Sequence, residues 1–196
     1  MNGTLRIVLP LVALAILVAT PALAQQSQPR NLPIPGVAQE PQVRFGVDGG
    51  FLLPLGDLAD VTGPAIGVLG RFEYPVALNA TVTARAGYLH GLSESTGDFS
   101  FSVSHVPILG GFKFFPSQRP LQQGGLYLGA EFGPNLVIAR ASDSIASDSD
   151  SEFRFAFGLG AGFEVGMVDL RGGLFVADIG EFGDSMGLLF SAGLTF

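Results

Sequence analysis

The feature that most constrains the fold of this chain is an alternation of side chains between positions 152 and 166. Every even position in this segment is charged or small, from Glu152 to Gly166. Every odd position is apolar: Phe153, Phe155, Phe157, Leu159, Ala161, Phe163 and Val165. Successive side chains of a strand point to opposite faces, whereas a helix repeats about every 3.6 residues. The segment therefore predicts a β-strand with one apolar face.

Seven further segments show the same period with varying regularity. They lie at about 42–52, 64–74, 80–90, 99–115, 125–134, 168–177 and 185–196. The alternation in 99–115 changes parity near Ser104–His105, which predicts a β-bulge beside Pro107. The segment 168–177 is the least regular, because Phe175 falls on its polar side.

The connections between these segments alternate in length and polarity. The longer or more polar connections lie at 54–63, 91–98, 135–151 and 178–184, and the others at 75–79, 116–124 and 166–168. Long loops at one rim and short turns at the other are typical of transmembrane barrels. We therefore expect an all-β fold, an eight-stranded antiparallel up-and-down transmembrane β-barrel.

Charged residues decide which face of the strands meets lipid. Twelve of them share the polar parity: Arg44, Asp48, Arg71, Glu73, Arg85, Lys113, Glu131, Glu152, Arg154, Glu164, Asp169 and Arg171. An Arg or Lys that faces lipid near the bilayer midplane costs about 2–4 kcal/mol. We therefore place the apolar rows outside and predict a lumen charge network. Its core members are Arg44, Asp48, Arg71, Glu73, Arg85, Lys113, Glu131, Arg154, Glu164 and Arg171.

The alternative is a soluble barrel or sandwich with the phenylalanine rows inside. The many glycines of the polar face argue against it, since glycine weakens a solvated strand but leaves room in a narrow lumen. Aromatic residues also lie towards the strand ends, as an interfacial girdle requires. We assign Phe51, Tyr88, Phe132 and Phe153 to the outer rim, and Tyr74, Phe114, Phe163 and Phe196 to the inner rim.

The first 41 residues are expected to lie outside the barrel. Residues 1–24 read as a signal peptide, with Arg6, an apolar run and the cleavage site Ala22-Leu23-Ala24. Residues 25–41 read as a proline-rich periplasmic lead-in, and 42–196 as the barrel. The chain has no cysteine, which excludes disulfides and thiolate sites. Its net charge of −7 does not favour a nucleic-acid partner.

Three stretches resemble the small outer-membrane β-barrel family of OmpA-type transmembrane domains and OmpX-like proteins. They are Phe45–Phe51, Val106–Lys113 and Leu188–Phe196. In the last, Leu188, Phe190, Ala192, Leu194 and Phe196 resemble the signal read by the barrel assembly machinery. The resemblance implies a monomer in the bacterial outer membrane, in contact with membrane lipid and lipopolysaccharide.

Residues that carry chemistry are few. Some small outer-membrane barrels modify lipid A, and the histidines His90 and His105 are candidates for such a role, with Ser93, Ser102 and Ser104 nearby. No His-x-Ser pairing is present, so we expect no catalytic site and no cofactor.

The acidic stretch 141–152 is the other candidate for a functional site. It contains Asp143, Asp148, Asp150 and Glu152. Weak Ca²⁺ or Mg²⁺ binding is one interpretation, but the spacing matches no defined calcium loop. A solvated acidic loop is the preferred interpretation, and we expect no metal site.

Three functional hypotheses follow. The leading one is a non-enzymatic barrel with a structural or surface-interaction role, because eight strands enclose a lumen that side chains can fill. A narrow diffusion pore is the second hypothesis, and a lipid A-modifying enzyme is the third.

Overall fold

The structure is a computed structural model that describes residues 42–56, 58–59, 62–96, 99–116, 125–142 and 147–196. The predicted signal peptide and lead-in lie outside the described residues. The strands are β1 (Arg44–Pro54), β2 (Ala65–Ala77), β3 (Ala80–Gly91), β4 (Glu94–Thr96), β5 (Phe99–Phe114), β6 (Gly125–Ser142), β7 (Ser147–Val165), β8 (Val168–Val176) and β9 (Met186–Thr195). A 3-10 turn, Ile179–Glu181, lies between β8 and β9. The described residues contain no helix with the length and apolar character that crossing a membrane requires.

The strands close into one antiparallel barrel. Apart from β3 and β4, consecutive strands pair with each other, β3 pairs with β5, and β9 pairs back to β1. The three-residue β4 pairs only with the start of β5 and extends the wall at the outer rim. Eight strands therefore form the closed wall, and the predicted fold class is confirmed.

The pairing register fixes how far the strands tilt. A path of directly paired residues that starts at Arg44 returns to β1 ten residues further on, at Pro54. It passes through Glu73, Thr83, Gly111, Glu131, Gly158, Phe175 and Gly187. Strand number and this stagger together set the width of a barrel, and eight strands leave an interior that side chains can fill.

The two faces of the wall differ as the sequence predicted. On β1, Phe45 is 55% exposed and Val47 is 48% exposed, while Asp48, on the opposite face of the strand, is 1% exposed. Apolar side chains of the other barrel strands are exposed in the same way. The apolar rows therefore form the outer belt, and the charged rows lie inside.

The predicted β-bulge in β5 is wrong. Strand β5 keeps one register with β3 from Phe114 to His105, and one register with β6 from Phe114 to Ser100. The parity change arises because Val103, on the same face as His105, is buried on the inward side near the outer rim. The β2–β3 register shifts instead between Pro75 and Ala77, where a proline has no amide proton to donate.

The predicted loop 135–151 is mostly a β-hairpin. Strands β6 and β7 contain 18 and 19 residues, although about 9–11 suffice to cross a bilayer. They stay paired from Gly125–Glu164 to Ser142–Ser147, and β5 pairs alongside up to Ser100. The polar residues in this segment suggested a loop. The backbone hydrogen bonds between β6 and β7 instead extend the sheet beyond the outer rim of the barrel.

Candidate functional site: the lumen and the outer rim

The inner half of the lumen holds a cluster of ten charged side chains, which we call the ionic layer. Its members are Arg44, Asp48, Arg71, Glu73, Arg85, Lys113, Glu131, Glu164, Asp169 and Arg171. Arg71 lies near its middle, with Nη1 2.9 Å from Asp48 Oδ1 and 2.7 Å from Asp169 Oδ2. The layer contains five charges of each sign, so it is neutral as a whole.

Shared partners join the members of the ionic layer into one network. Arg44 bridges Glu164 and Glu73, the latter at 2.6 Å. On the other side, Glu131 accepts from Arg171 at 2.5 Å and from Arg85 at 3.2 Å. Because these pairs are buried, removing one partner leaves the other as an uncompensated charge.

Lys113 lies among three carboxylates with the spacing of a metal site. The carboxylates of Glu73, Glu164 and Asp169 offer oxygens that all lie within 4.8 Å of one another, and all three residues are buried. The Nζ of Lys113 lies 2.5 Å from Glu73 Oε1 and 3.6 Å from Glu164 Oε2, and it contacts Asp169 Oδ2. The positive charge in this cluster is therefore the ammonium of the chain itself.

Tyr127 is a member of the lumen that sequence reasoning missed. Its hydroxyl donates to Asp169 Oδ1 at 2.6 Å, and Lys113 Nζ lies 4.4 Å from its ring centre. Gly162 faces this ring, and a Cβ at that position would collide with the Tyr127 hydroxyl. The sequence did indicate that Tyr127 faces the lumen, because it shares its parity with Glu131 on the same strand.

The outer half of the lumen holds what we call the apolar layer. It consists of Leu52, Ala65, Leu89, Leu109, Ala156, Phe175, Ala177 and Leu189. Several of its members lie four residues outward from a member of the ionic layer on the same strand, for example Leu89 after Arg85 and Phe175 after Arg171. Four residues is an even step, so both side chains face the lumen.

The two histidines lie on opposite faces of the wall. His105 is buried inside, where Asn135 Nδ2 lies 3.3 Å from its Nδ1 and the Phe175 ring packs edge-on at 6.2 Å. His90 is exposed on the outer face, with Nδ1 3.3 Å from the Tyr88 hydroxyl. The two candidates for catalysis therefore do not converge on one site.

Arg154 does not belong with the lumen charges, and its assignment is corrected. Its Nη1 donates to Asp178 Oδ2 at 2.5 Å, and Nη2 bonds Glu152 on the same strand. Asp178 in turn accepts from the amide of Gly180 at 2.8 Å through its side chain, which caps the 3-10 turn. Arg154 thus ties β7 to the β8–β9 connection at the outer rim. It shares the parity of the lumen residues but lies beyond the apolar layer.

The acidic stretch 141–152 is only partly described. Asp143 lies outside the described residues, and so does the side chain of Asp148. Asp150 Oδ1 accepts from the amide of Ser151 at 2.8 Å, and Glu152 bonds Arg154. The preference for a solvated acidic loop over divalent cation binding stays a prediction.

The C-terminal strand forms the seam of the barrel. The backbones of Phe45 and Phe196 exchange two hydrogen bonds of 3.0 and 2.8 Å. Phe190 and Phe196 are exposed on the outer belt, on the face that they share with Leu188, Ala192 and Leu194. Recognition of these residues by the assembly machinery stays a prediction.

Comparison with solved structures bears on the fold. The attachment invasion locus protein Ail of Yersinia pestis superposes with a TM-score of 0.53 at 14% identity, covering 79% of this chain and 96% of Ail. The N-terminal β-barrel domain of Pseudomonas aeruginosa OprF also gives a TM-score of 0.53, at 10% identity, covering 80% of this chain and 100% of that domain. The fold is that of a small outer-membrane β-barrel. The predicted resemblance is confirmed at this level.

Sequence comparison adds no closer relative. No protein-family model matches the chain, and no curated protein matches it.

Ail has also been solved in complex with the heparin analogue sucrose octasulfate. That structure superposes with a TM-score of 0.52 at 14% identity, covering 79% of this chain and 96% of that one.

Proposed function

We propose that this protein is a non-enzymatic bacterial outer-membrane protein that acts through its outer surface. The observation that carries the proposal is the filled lumen. The ionic layer and the apolar layer lie one above the other inside a wall of eight strands. The structure therefore favours contacts made at the outer rim over transport through the barrel.

The projecting hairpin of β6 and β7 provides such a surface. It stands beside β5 and the short β4 and extends the barrel wall beyond the apolar belt. Phe153 on this hairpin is 75% exposed, and Phe155 is 58% exposed. A mixed apolar and charged surface at the outer rim suits contact with another macromolecule.

The charge of this rim indicates the sign of its partners. Among the side chains that the structure describes, those of the outer connections and of the strand ends beside them include five acidic residues: Asp150, Glu152, Asp178, Glu181 and Asp184. The same segments contain two basic residues, Arg140 and Arg154. Such a field repels polyanions and attracts cations. The heparin analogue bound by Ail is therefore not a ligand that we extend to this chain.

The proposal is tested on protein reconstituted in nanodiscs and in planar bilayers. We expect polylysine to bind with an affinity that falls as salt rises, heparin not to bind, and no steady conductance. The matched variant replaces Asp150 and Glu152 by Asn and Gln, and it should bind polylysine more weakly. Stable ohmic channels from the unaltered protein would contradict the proposal. So would a change in the mass of lipid A that is lost in His90→Ala or His105→Ala.

A further inference from the structure

We propose that the outer edge of strand β7 binds an extended cationic peptide as an added strand of the sheet. The inference rests on the proposed surface role and deepens it, because it names the class of partner and the groups that hold it. Three observations carry it: the difference in length between β7 and β8, the direction of the backbone groups along β7, and the side chains on the two faces of this segment.

Strand β7 extends further outward than the strand beside it. Strand β8 ends at Val176, which pairs with Phe157, whereas β7 stays paired with β6 out to Ser147. The 3-10 turn that follows β8 meets β7 through the side chain of Arg154, and no backbone hydrogen bond of the described residues joins this turn to β7. Ser151–Phe155 therefore forms a sheet edge that no strand of the described residues covers, and we call it the β7 edge.

The odd-numbered residues of the β7 edge direct their backbone groups away from β6. Next to the two ends of β8, the amide of Ala177 donates to Ser185 and the carbonyl of Met167 accepts from Thr195. Because the backbone groups of a strand alternate between its two neighbours, the odd residues of β8 face β9 and its even residues face β7. Even residues of β8 pair with odd residues of β7. The amides and carbonyls of the odd residues further out along β7 thus face the side that β8 leaves open.

The hydrogen bonds along the β7 edge agree with this direction. The amide of Ser151 donates to the side chain of Asp150 at 2.8 Å, as expected of an amide that takes no part in the β6 ladder. Native sheets commonly block an edge with proline, with lysine or with a β-bulge. Residues 147–156 contain neither proline nor lysine, and their register with β6 is unbroken. The β7 edge is therefore open to pairing.

The side chains beside the β7 edge favour a cationic strand. Asp150 and Glu152 lie exposed on one face, and Phe153 and Phe155 are 75% and 58% exposed on the other. Arg154 shares the acidic face, but its single charge is divided among three carboxylates. The side chains of an added strand fall on the same two faces, so basic residues would lie beside the acids and apolar residues beside the phenylalanines. Strand addition gains affinity from backbone hydrogen bonds and specificity from alternate side chains.

A second copy of this chain suits the β7 edge less well. Antiparallel pairing of two β7 edges would bring the acidic faces of both copies together, and like charges on neighbouring strands are destabilising. Charge complementarity therefore favours a peptide in which basic and apolar residues alternate.

The test uses the protein in nanodiscs and a synthetic peptide of alternating lysine and valine. We expect this peptide to slow hydrogen exchange at the amides of Phe153 and Phe155, while the amides of Glu152 and Arg154, which face β6, exchange as before. The control is the same peptide with a methyl group on every backbone nitrogen, which keeps the charges but removes the amide hydrogens. We expect the control peptide to bind about tenfold more weakly, because it cannot donate backbone hydrogen bonds.

A pair of protein variants tests the same edge. Phe153→Pro removes one amide hydrogen from the β7 edge and leaves the β6 ladder intact, since proline is tolerated where the amide faces no neighbouring strand. Phe153→Val is the matched control and keeps the amide. We expect the proline variant to bind the lysine–valine peptide about tenfold more weakly than the valine variant. Folding is checked by gel mobility, and if the proline variant does not fold, the exchange measurement on the unaltered protein decides.

Three results would overturn the proposal. The first is equal affinity for the methylated and unmethylated peptides, and the second is unchanged exchange at Phe153 and Phe155. The third is protection of these amides in detergent without peptide as the protein concentration rises, which would assign the edge to a second copy. The surface role is judged separately, because polylysine binding that depends on Asp150 and Glu152 would survive each of these results.

Discussion

The inner and outer halves of the lumen are filled by opposite kinds of side chain within the same eight strands. In the inner half, charged groups with several partners each form a neutral network around Arg71 and Lys113. In the outer half, leucines and Phe175 form an apolar cluster, and the uncharged polar side chains of His105 and Asn135 lie beside it. The comparison teaches that a lumen of this width can be closed either by ion pairs or by apolar packing. The two closures fail differently, because a lost ion-pair partner leaves a buried charge and a lost apolar side chain leaves a void.

The largest effect is expected in the inner half. Asp169→Asn removes the carboxylate that contacts Arg71, Lys113 and Tyr127. The stranded positive charges should lower the free energy of unfolding by about 3–5 kcal/mol. Urea unfolding in lipid vesicles measures this change. A loss of stability smaller than that of Leu89→Ala would show that the ionic layer rearranges around the missing carboxylate.

A somewhat smaller effect is expected in the outer half. Leu89→Ala leaves a void in the apolar layer, and the expected loss is about 2–5 kcal/mol, depending on how far the neighbours relax. Leu128→Ala is the control, because Leu128 is 51% exposed on the outer belt, where lipid can fill the space. Equal losses of stability in the two variants would mean that burial in the lumen does not increase the cost of removing a leucine side chain.

The smallest effect is expected at the rim, which tests whether location or charge determines the strength of an ion pair. Arg154→Ala breaks contacts with Asp178 and Glu152 that lie near solvent. The expected loss of stability is about 0–1 kcal/mol. Hydrogen exchange should nevertheless increase in the 3-10 turn Ile179–Glu181, since Arg154 holds it to β7. Unchanged exchange there would show that Ser185, which bonds Asp178, holds the turn without Arg154.

The sequence predicted the wall better than it predicted the contents of the lumen. Alternation located every strand of the closed barrel. It did not predict the extension of β6 and β7, because the polar residues there suggested a loop. The alternation also predicted that the charged residues face the lumen. Parity alone placed Arg154 with the other lumen charges, because parity reports the face of a strand and not the height along it. Phe175 seemed an irregularity in its strand, yet it is a buried member of the apolar layer.

The sequence by itself determined which face of each strand meets lipid and which faces the lumen. The reason is energetic. Twelve charged residues at one parity cannot face hydrocarbon, so the opposite rows must. The tertiary structure alone decided the layering. Neighbouring strands are staggered so that one circuit of the barrel advances ten residues. This stagger, which no single strand encodes, brings Phe175 level with Leu52 and Leu89 and places Asp169 beside Arg71 and Lys113.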